Sequence, residues 1–274
     1  MSRFRNWNLS GPVGPAGIQM ATLYSPALSR RADLTFYVPD GREDGGQLPL
    51  LILLHGVYGS HWNWWACGHA PETADAMIRS RAVRPFAMAM PSDGLWGEGS
   101  GYIAHRDFDA EAWIAEDVPQ FLGEVLPGVR TDRFYLAGLS MGGYGALRIG
   151  MKHAATVKGI SAHSAVTRIQ DLQSFVQEPI EEYLAAGEAN AEILHWARRN
   201  RATLPPVRFD CGREDSLLEG NRALHRSLLD AGIPHTYEEH SGGHTWEYWQ
   251  EHVRSTFRFV SDIEERGAAI SSNA

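Results

Sequence analysis

The chain has 274 residues, 43% of them hydrophobic and 21% charged, which excludes a disordered, collagen-like or coiled-coil protein. Asp and Glu number 33 against 25 Lys and Arg, a net charge of -8, so there is no basic footprint for nucleic acid. No apolar run reaches the roughly 18 residues of a membrane span, and no membrane partner is expected. Residues Met1 to Gly17 carry Arg3 and Arg5 but lack the apolar core of a signal peptide, so the expected location is cytoplasmic. The two cysteines, Cys67 and Cys211, cannot build a disulfide framework and read as reduced, packed thiols.

Two alternating stretches come first, Ala21 to Ser25 and Asp33 to Val38, with Pro39-Asp40-Gly41 closing the second. They predict antiparallel N-terminal strands. The polar segment Arg42 to Gln47 predicts a loop. Leu50 to Leu54 is continuously apolar and short, the habit of a parallel strand buried on both faces. Phe86 to Met90, Arg133 to Ala137, Val157 to Ala162 and Val207 to Cys211 repeat it. Helical spacing over Pro71 to Ser80, Glu111 to Val125, Met141 to His153 and Ser216 to Ala231 supplies the crossovers. The segment Ser164 to Pro206 is too long for a simple crossover and predicts two or three helices laid over the end of the sheet as a small lid. The fold expected is α/β, a mostly parallel central sheet flanked by helices, with residues 1–274 forming a single domain.

The strongest chemical signal is Gly138-Leu139-Ser140-Met141-Gly142, a G-x-S-x-G pentapeptide between an apolar strand and a small-residue helix. That context predicts a sharp elbow exposing a nucleophilic serine. A serine hydroxyl needs a base to take its proton. His244, in the glycine-rich turn Ser241 to Trp246 after the strand His235 to Glu239, is the candidate, with His240 and His252 as near rivals. The base needs a carboxylate partner. Asp215 follows Gly212 in a loop that can turn toward the base, whereas Asp210 lies inside the apolar strand and Glu214 is a second rival. Asp215 could instead cap the helix that follows. Two backbone amides would hold a developing oxyanion: Met141, after the nucleophile, and Val57 in His55-Gly56-Val57-Tyr58-Gly59, with Tyr58 the alternative. His55 itself is expected to hold its loop rather than act as a base. No metal-ligand spacing exists and no cofactor is expected; His61 and His69 stand eight apart, and no HExxH occurs.

The order Ser140, Asp215, His244, each after a strand, is that of the α/β-hydrolase fold. Ser25-Pro26 through Pro39 leading to Leu53-Leu54-His55-Gly56, then Gly138 to Leu147, Cys211 to Leu224 and Gly242 to Trp249 together resemble the esterase branch of those hydrolases. That branch holds tributyrin-type esterases, S-formylglutathione hydrolases, feruloyl and acetyl-xylan esterases and the antigen 85 mycolyltransferases. The resemblance spans nearly the whole chain. It implies Ser140, Asp215 and His244 as a triad, with the Val57 and Met141 amides as oxyanion donors. The S-formylglutathione hydrolases carry a cysteine-containing oxyanion loop, from which this chain departs. Trp65 and Trp96 follow strand ends, where α/β proteins bind ligands, and are candidate substrate walls. The expectation is a serine carboxylesterase acting on small or short-acyl esters through an acyl-enzyme. The alternatives are an acyltransferase, a carbohydrate esterase acting on acetyl or feruloyl groups, or a non-catalytic carbohydrate-binding protein. A small-molecule ester is the expected partner, and homo-oligomer formation is compatible with these features.

Overall fold

The computed structural model describes residues 3–4, 6–14, 16–40 and 47–272. Among the described residues nine strands form one sheet: β1 (Trp7–Leu9), β2 (Gln19–Ser25), β3 (Arg30–Tyr37), β4 (Leu48–Leu54), β5 (Ala87–Pro91), β6 (Val129–Leu139), β7 (Val157–His163), β8 (Val207–Gly212) and β9 (Thr236–His240). Their order across the sheet is β1-β2-β3-β5-β4-β6-β7-β8-β9. The first three strands run antiparallel to their neighbours, with Ala21 opposite Leu34, as the alternating stretches predicted. From β5 to β9 every pairing is parallel. All seven residues of β4 are buried, because helices cover both faces of the sheet there. This is the α/β-hydrolase arrangement.

The helices are α1 (Asn63–Ala66), α2 (Ala70–Arg79), α3 (Ala110–Ala112), α4 (Val118–Val125), α5 (Met141–Lys152), α6 (Ile180–Tyr183), α7 (Glu188–Ala191), α8 (Ile193–Arg199), α9 (Leu218–Asp230) and α10 (Trp246–Ser272). One predicted helix, Glu111 to Val125, is not uniform. A π turn over Trp113–Asp117 joins α3 to α4, and Pro119 stands in the first turn of α4. A proline offers no N–H to the preceding turn, so the ladder must adjust there. The strand β1 has no counterpart among the predicted elements; three residues are too few to show a period. The loop expected over Arg42 to Gln47 lies outside the described residues apart from Gln47. Among the described residues no helix is long and apolar enough to cross a membrane. Cys67 and Cys211 are both free thiols.

The segment between β7 and β8 carries a 3-10 turn (Ile169–Ser174) and the three short helices α6, α7 and α8. Among the ties that fasten it to α5, Tyr144 donates its hydroxyl to the Ala191 carbonyl at 2.6 Å, Lys152 Nζ donates to Asn190 Oδ1 at 2.9 Å, and Asn200 Nδ2 donates to the Met151 carbonyl at 2.8 Å. Beneath them lies a charge cluster. Glu111 Oε2 meets the fully buried Arg148 at 2.7 Å, and its Oε1 meets Lys152 and His153, each at 2.7 Å. Burial alone would raise the Glu111 carboxyl's pKa, but His153, Arg148 and Lys152 outweigh it and hold it well below the usual range. A carboxyl depressed on folding stabilises fully above its unfolded pKa and loses that contribution as pH falls toward the folded value. Glu111→Gln is therefore expected to cost about 3–5 kcal/mol at neutral pH, since it strands a buried guanidinium. The variant should also lose less stability than wild type on acidification below the ordinary carboxylate range. Thermal melts across that range check both expectations; equal acid slopes for the two proteins would reject the second.

Candidate active site

Strand β6 runs straight into the elbow. Ser140 has φ 54° and ψ -121°, a backbone conformation that L residues adopt only when neighbours force it. The flanking glycines are forced by contact. A Cβ on Gly138 would sit 2.3 Å from the Gly142 carbonyl oxygen, and one on Gly142 would sit 2.3 Å from the Leu54 carbonyl oxygen. The elbow is pinned from the next strand: the Ser140 amide donates to the His163 carbonyl at 3.0 Å, and the Val166 amide to the Ser140 carbonyl at 3.0 Å. The nucleophile candidate thus stands at the C-terminal edge of the sheet with 2% of its surface exposed.

The turn after β9 carries His244 to the same edge. Its Nε2 lies 3.0 Å from Ser140 Oγ, and its Nδ1 lies 2.9 Å from Asp215 Oδ2. The carboxylate can only accept, so Nδ1 donates to it, and Nε2 is left to accept from the serine hydroxyl. The other Asp215 oxygen accepts from the Leu217 amide at 2.8 Å, at the mouth of α9. The two readings of Asp215, cap and partner of the base, are therefore both occupied, one oxygen each. Burial would raise the Asp215 pKa, but the His244 and Leu217 hydrogen bonds lower it further, so its net direction is down.

The rivals have other partners. Asp210 accepts from His163 Nδ1 at 3.0 Å, from Arg208 at 2.7 Å and from the Tyr248 hydroxyl at 2.8 Å, all within the buried interior. Glu214 accepts from the Gly242 amide and so braces the turn that carries His244. His240 and His252 stack on one another with centroids 4.3 Å apart. His55 is engaged at both ring nitrogens. Its Nδ1 donates to the Gly56 carbonyl at 2.7 Å, and its Nε2 accepts from the Asp93 amide at 3.1 Å. Burial lowers its pKa, consistent with a neutral ring holding the loop.

The loop after β4 and the loop after β5 meet above the serine. The Tyr58 amide donates to the Glu98 carbonyl at 3.2 Å, while Gly99 packs against the side chains of Val57 and Met141. Asp93 shapes the second loop by accepting from the Leu95 amide at 2.9 Å and the Ser100 amide at 2.7 Å. Two aromatic rings flank the histidine: Trp249 edge-on at 4.9 Å, and Phe175 nearly parallel at 6.3 Å. Phase and periodicity gave no reason to choose Phe175, which comes from the insertion after β7; the Tyr58 hydroxyl donates to its backbone carbonyl. Of the two candidate wall tryptophans, Trp96 packs on His105 at 4.2 Å and against Phe108 and Tyr183. Trp65 lies 3.8 Å from where a Gly14 Cβ would stand. Neither set of partners includes Ser140 or His244.

The family model described as "Putative esterase" matches residues 25–259, a span that holds the elbow, the acid loop and the histidine turn. The chain belongs to this esterase family. It is a carboxylic ester hydrolase. An acetyl esterase from Caldicellulosiruptor saccharolyticus is 27% identical to it over 90% of this chain and 99% of the relative. An esterase of Mycobacterium tuberculosis is also 27% identical, but the match covers 76% of this chain and only 51% of that protein. Among solved structures, a ferulic acid esterase superposes with a TM-score of 0.80 at 24% identity, covering 90% of this esterase and 97% of that chain. An S-formylglutathione hydrolase from Staphylococcus aureus gives 0.74 at 17% identity, covering 93% and 99%. At such identities the structural likeness speaks to the fold shared by this esterase and its neighbours.

Proposed function

We propose that this esterase hydrolyses short-acyl carboxylic esters by a serine mechanism in which Ser140 is the nucleophile, His244 the base and Asp215 the residue that orients it. The observation that carries this reading is the unbroken run of hydrogen bonds from Ser140 Oγ through His244 to Asp215. His244 Nε2 takes the hydroxyl proton as Ser140 attacks the acyl carbon, and the carbonyl oxygen becomes an oxyanion. The Met141 amide, first in its helix and therefore without an intrahelical acceptor, is one donor to that oxygen. Val57 is the other; the engagement of the Tyr58 amide with Glu98 favours Val57 over Tyr58. His244 then gives its proton to the departing alcohol, and water repeats the cycle to free the acid.

The deciding experiment is p-nitrophenyl acetate turnover against a Ser140→Ala control. No difference between the two would remove Ser140 from the nucleophile's role. Exhaustive chelation should leave the wild-type rate unchanged, because backbone amides supply the charge stabilisation. A rate lost to EDTA and restored by one divalent ion would sink this mechanism.

Gly99 packs against the side chains of Val57 and Met141 beside the candidate oxyanion amides, and Ser140 is nearly covered. We expect kcat/KM to peak between acetyl and butyryl esters and to fall about tenfold by decanoyl, ~1.4 kcal/mol in transition-state terms. Trp65 and Trp96 are the proposed outer walls, and Trp65→Ala and Trp96→Ala should move the peak toward longer chains. A wild-type rate that rises through decanoyl would reject the short pocket.

A further inference from the structure

A groove of about 910 Å³ lies beside the site, walled by Phe175, by Leu217 and by Leu224 of α9. Its volume lies within the range of sites that enclose small molecules. Two residues join it to the reacting groups. The Phe175 ring stands nearly parallel to the His244 imidazole, 13° apart in plane, and walls the groove as well. Leu217 lines the groove while its amide holds Asp215. The Tyr58 hydroxyl, from the loop of the candidate oxyanion donors, bonds the Phe175 carbonyl and pins that residue between the two spaces.

The chemistry decides which half of an ester this groove meets. The proton taken from Ser140 is carried on His244 Nε2 and returned to the leaving oxygen, so that oxygen must lie within reach of the imidazole. The carbonyl oxygen must lie at the Val57 and Met141 amides, and the acyl chain goes with it. A groove whose walls Phe175 and Leu217 reach His244 and Asp215 therefore faces the alcohol. Its rim carries Asp171, Glu192 and Glu219 against Arg168, and Arg222 pairs with Glu219 at 2.7 Å. The balance disfavours an anion, while the apolar walls reward a ring or a branched body.

Resting on the serine-esterase reading above, we propose that this groove is an alcohol subsite that selects esters of bulky, uncharged alcohols, with Phe175 as the wall that guides the body of the alcohol into the groove while its oxygen stays beside His244. The acyl preference and the alcohol preference are then set by different loops, and they can be changed separately.

The test holds the acyl group constant. Ethyl acetate, phenethyl acetate and the para-carboxylate of phenethyl acetate are primary-alcohol esters with leaving groups of similar acidity. Wild type should favour phenethyl over ethyl acetate by about tenfold in kcat/KM, and the carboxylated ester should lose most of that gain. Ala223, exposed on α9 and lining the groove, allows a filling substitution. Ala223→Trp should bring the phenethyl-to-ethyl ratio close to one. Both substrates are read on one preparation, so partial unfolding cancels from the ratio. A wild-type ratio near one, a ratio untouched by Ala223→Trp, or equal rates for the neutral and carboxylated esters would overturn the subsite while leaving the esterase reading intact. Absence of turnover with every acetate overturns the esterase reading, and the subsite with it.

Discussion

Ser140→Ala is expected to lower kcat by about 10⁶-fold with the fold intact, the scale seen when a serine nucleophile is removed from a working triad. The substitution deletes one oxygen and keeps the backbone ties to His163 and Val166 that hold the elbow. Only the side-chain oxygen is lost, so the melting temperature should stay close to wild type. The same atom should be the one that a fluorophosphonate labels. Such a probe needs a serine whose proton is already shared with a base, and Ser140 Oγ sits 3.0 Å from His244 Nε2. Peptide mass spectrometry of the labelled protein checks the position. An adduct on any other residue, or an active enzyme that takes none, removes Ser140 from its role.

The second large effect separates two aspartates five residues apart in sequence. Asp215→Asn should reduce kcat by about 10³–10⁴-fold while the protein stays folded, because an amide no longer fixes the proton on His244 Nδ1 or stabilises the imidazolium. Asp210→Asn should act on stability instead. Its carboxylate joins His163, Arg208 and Tyr248 in a buried network, and neutralising it leaves Arg208 short of its buried counter-charge, at about 3–5 kcal/mol. Tyr248 lies four residues beyond His244, so some loss of rate in Asp210→Asn would follow from a loosened turn. Circular-dichroism melts and single-turnover rates on both variants distinguish the cases. A folded Asp210→Asn protein without turnover, beside a nearly normal Asp215→Asn protein, would reverse the assignment.

The contrast between these aspartates shows where sequence reasoning works and where it thins. Asp210 sits in a run of apolar residues and Asp215 follows a glycine, so the position of each relative to the strand end was readable from composition alone. Of the partners of Asp210, only Arg208, two residues back on the same strand face, is local. His163 and Tyr248 come from the neighbouring strand and from α10, and nothing in the sequence marks them as part of that network. The loop of the proposed oxyanion donors behaves the same way. The glycines of His55 to Gly59 announce a tight turn, but the choice between the Val57 and Tyr58 amides waits on the Glu98 carbonyl, which arrives from a different loop.

By itself, the sequence determined the strand and helix alternation, the elbow at Ser140 and the order in which Ser140, Asp215 and His244 follow their strands. These depend on side-chain period and on residues within one turn of each other, which is why they survive without coordinates. Tertiary structure alone decided that β1 pairs at the sheet edge, that Glu111 and Arg148 share a buried cluster, and that Phe175 faces His244. It also closed the 104-residue separation between Ser140 and His244 to a hydrogen bond. Such contacts depend on how the parallel strands are ordered and on which loops share their C-terminal edge. That ordering is a property of the packed sheet as a whole, and a short window of sequence carries no record of it.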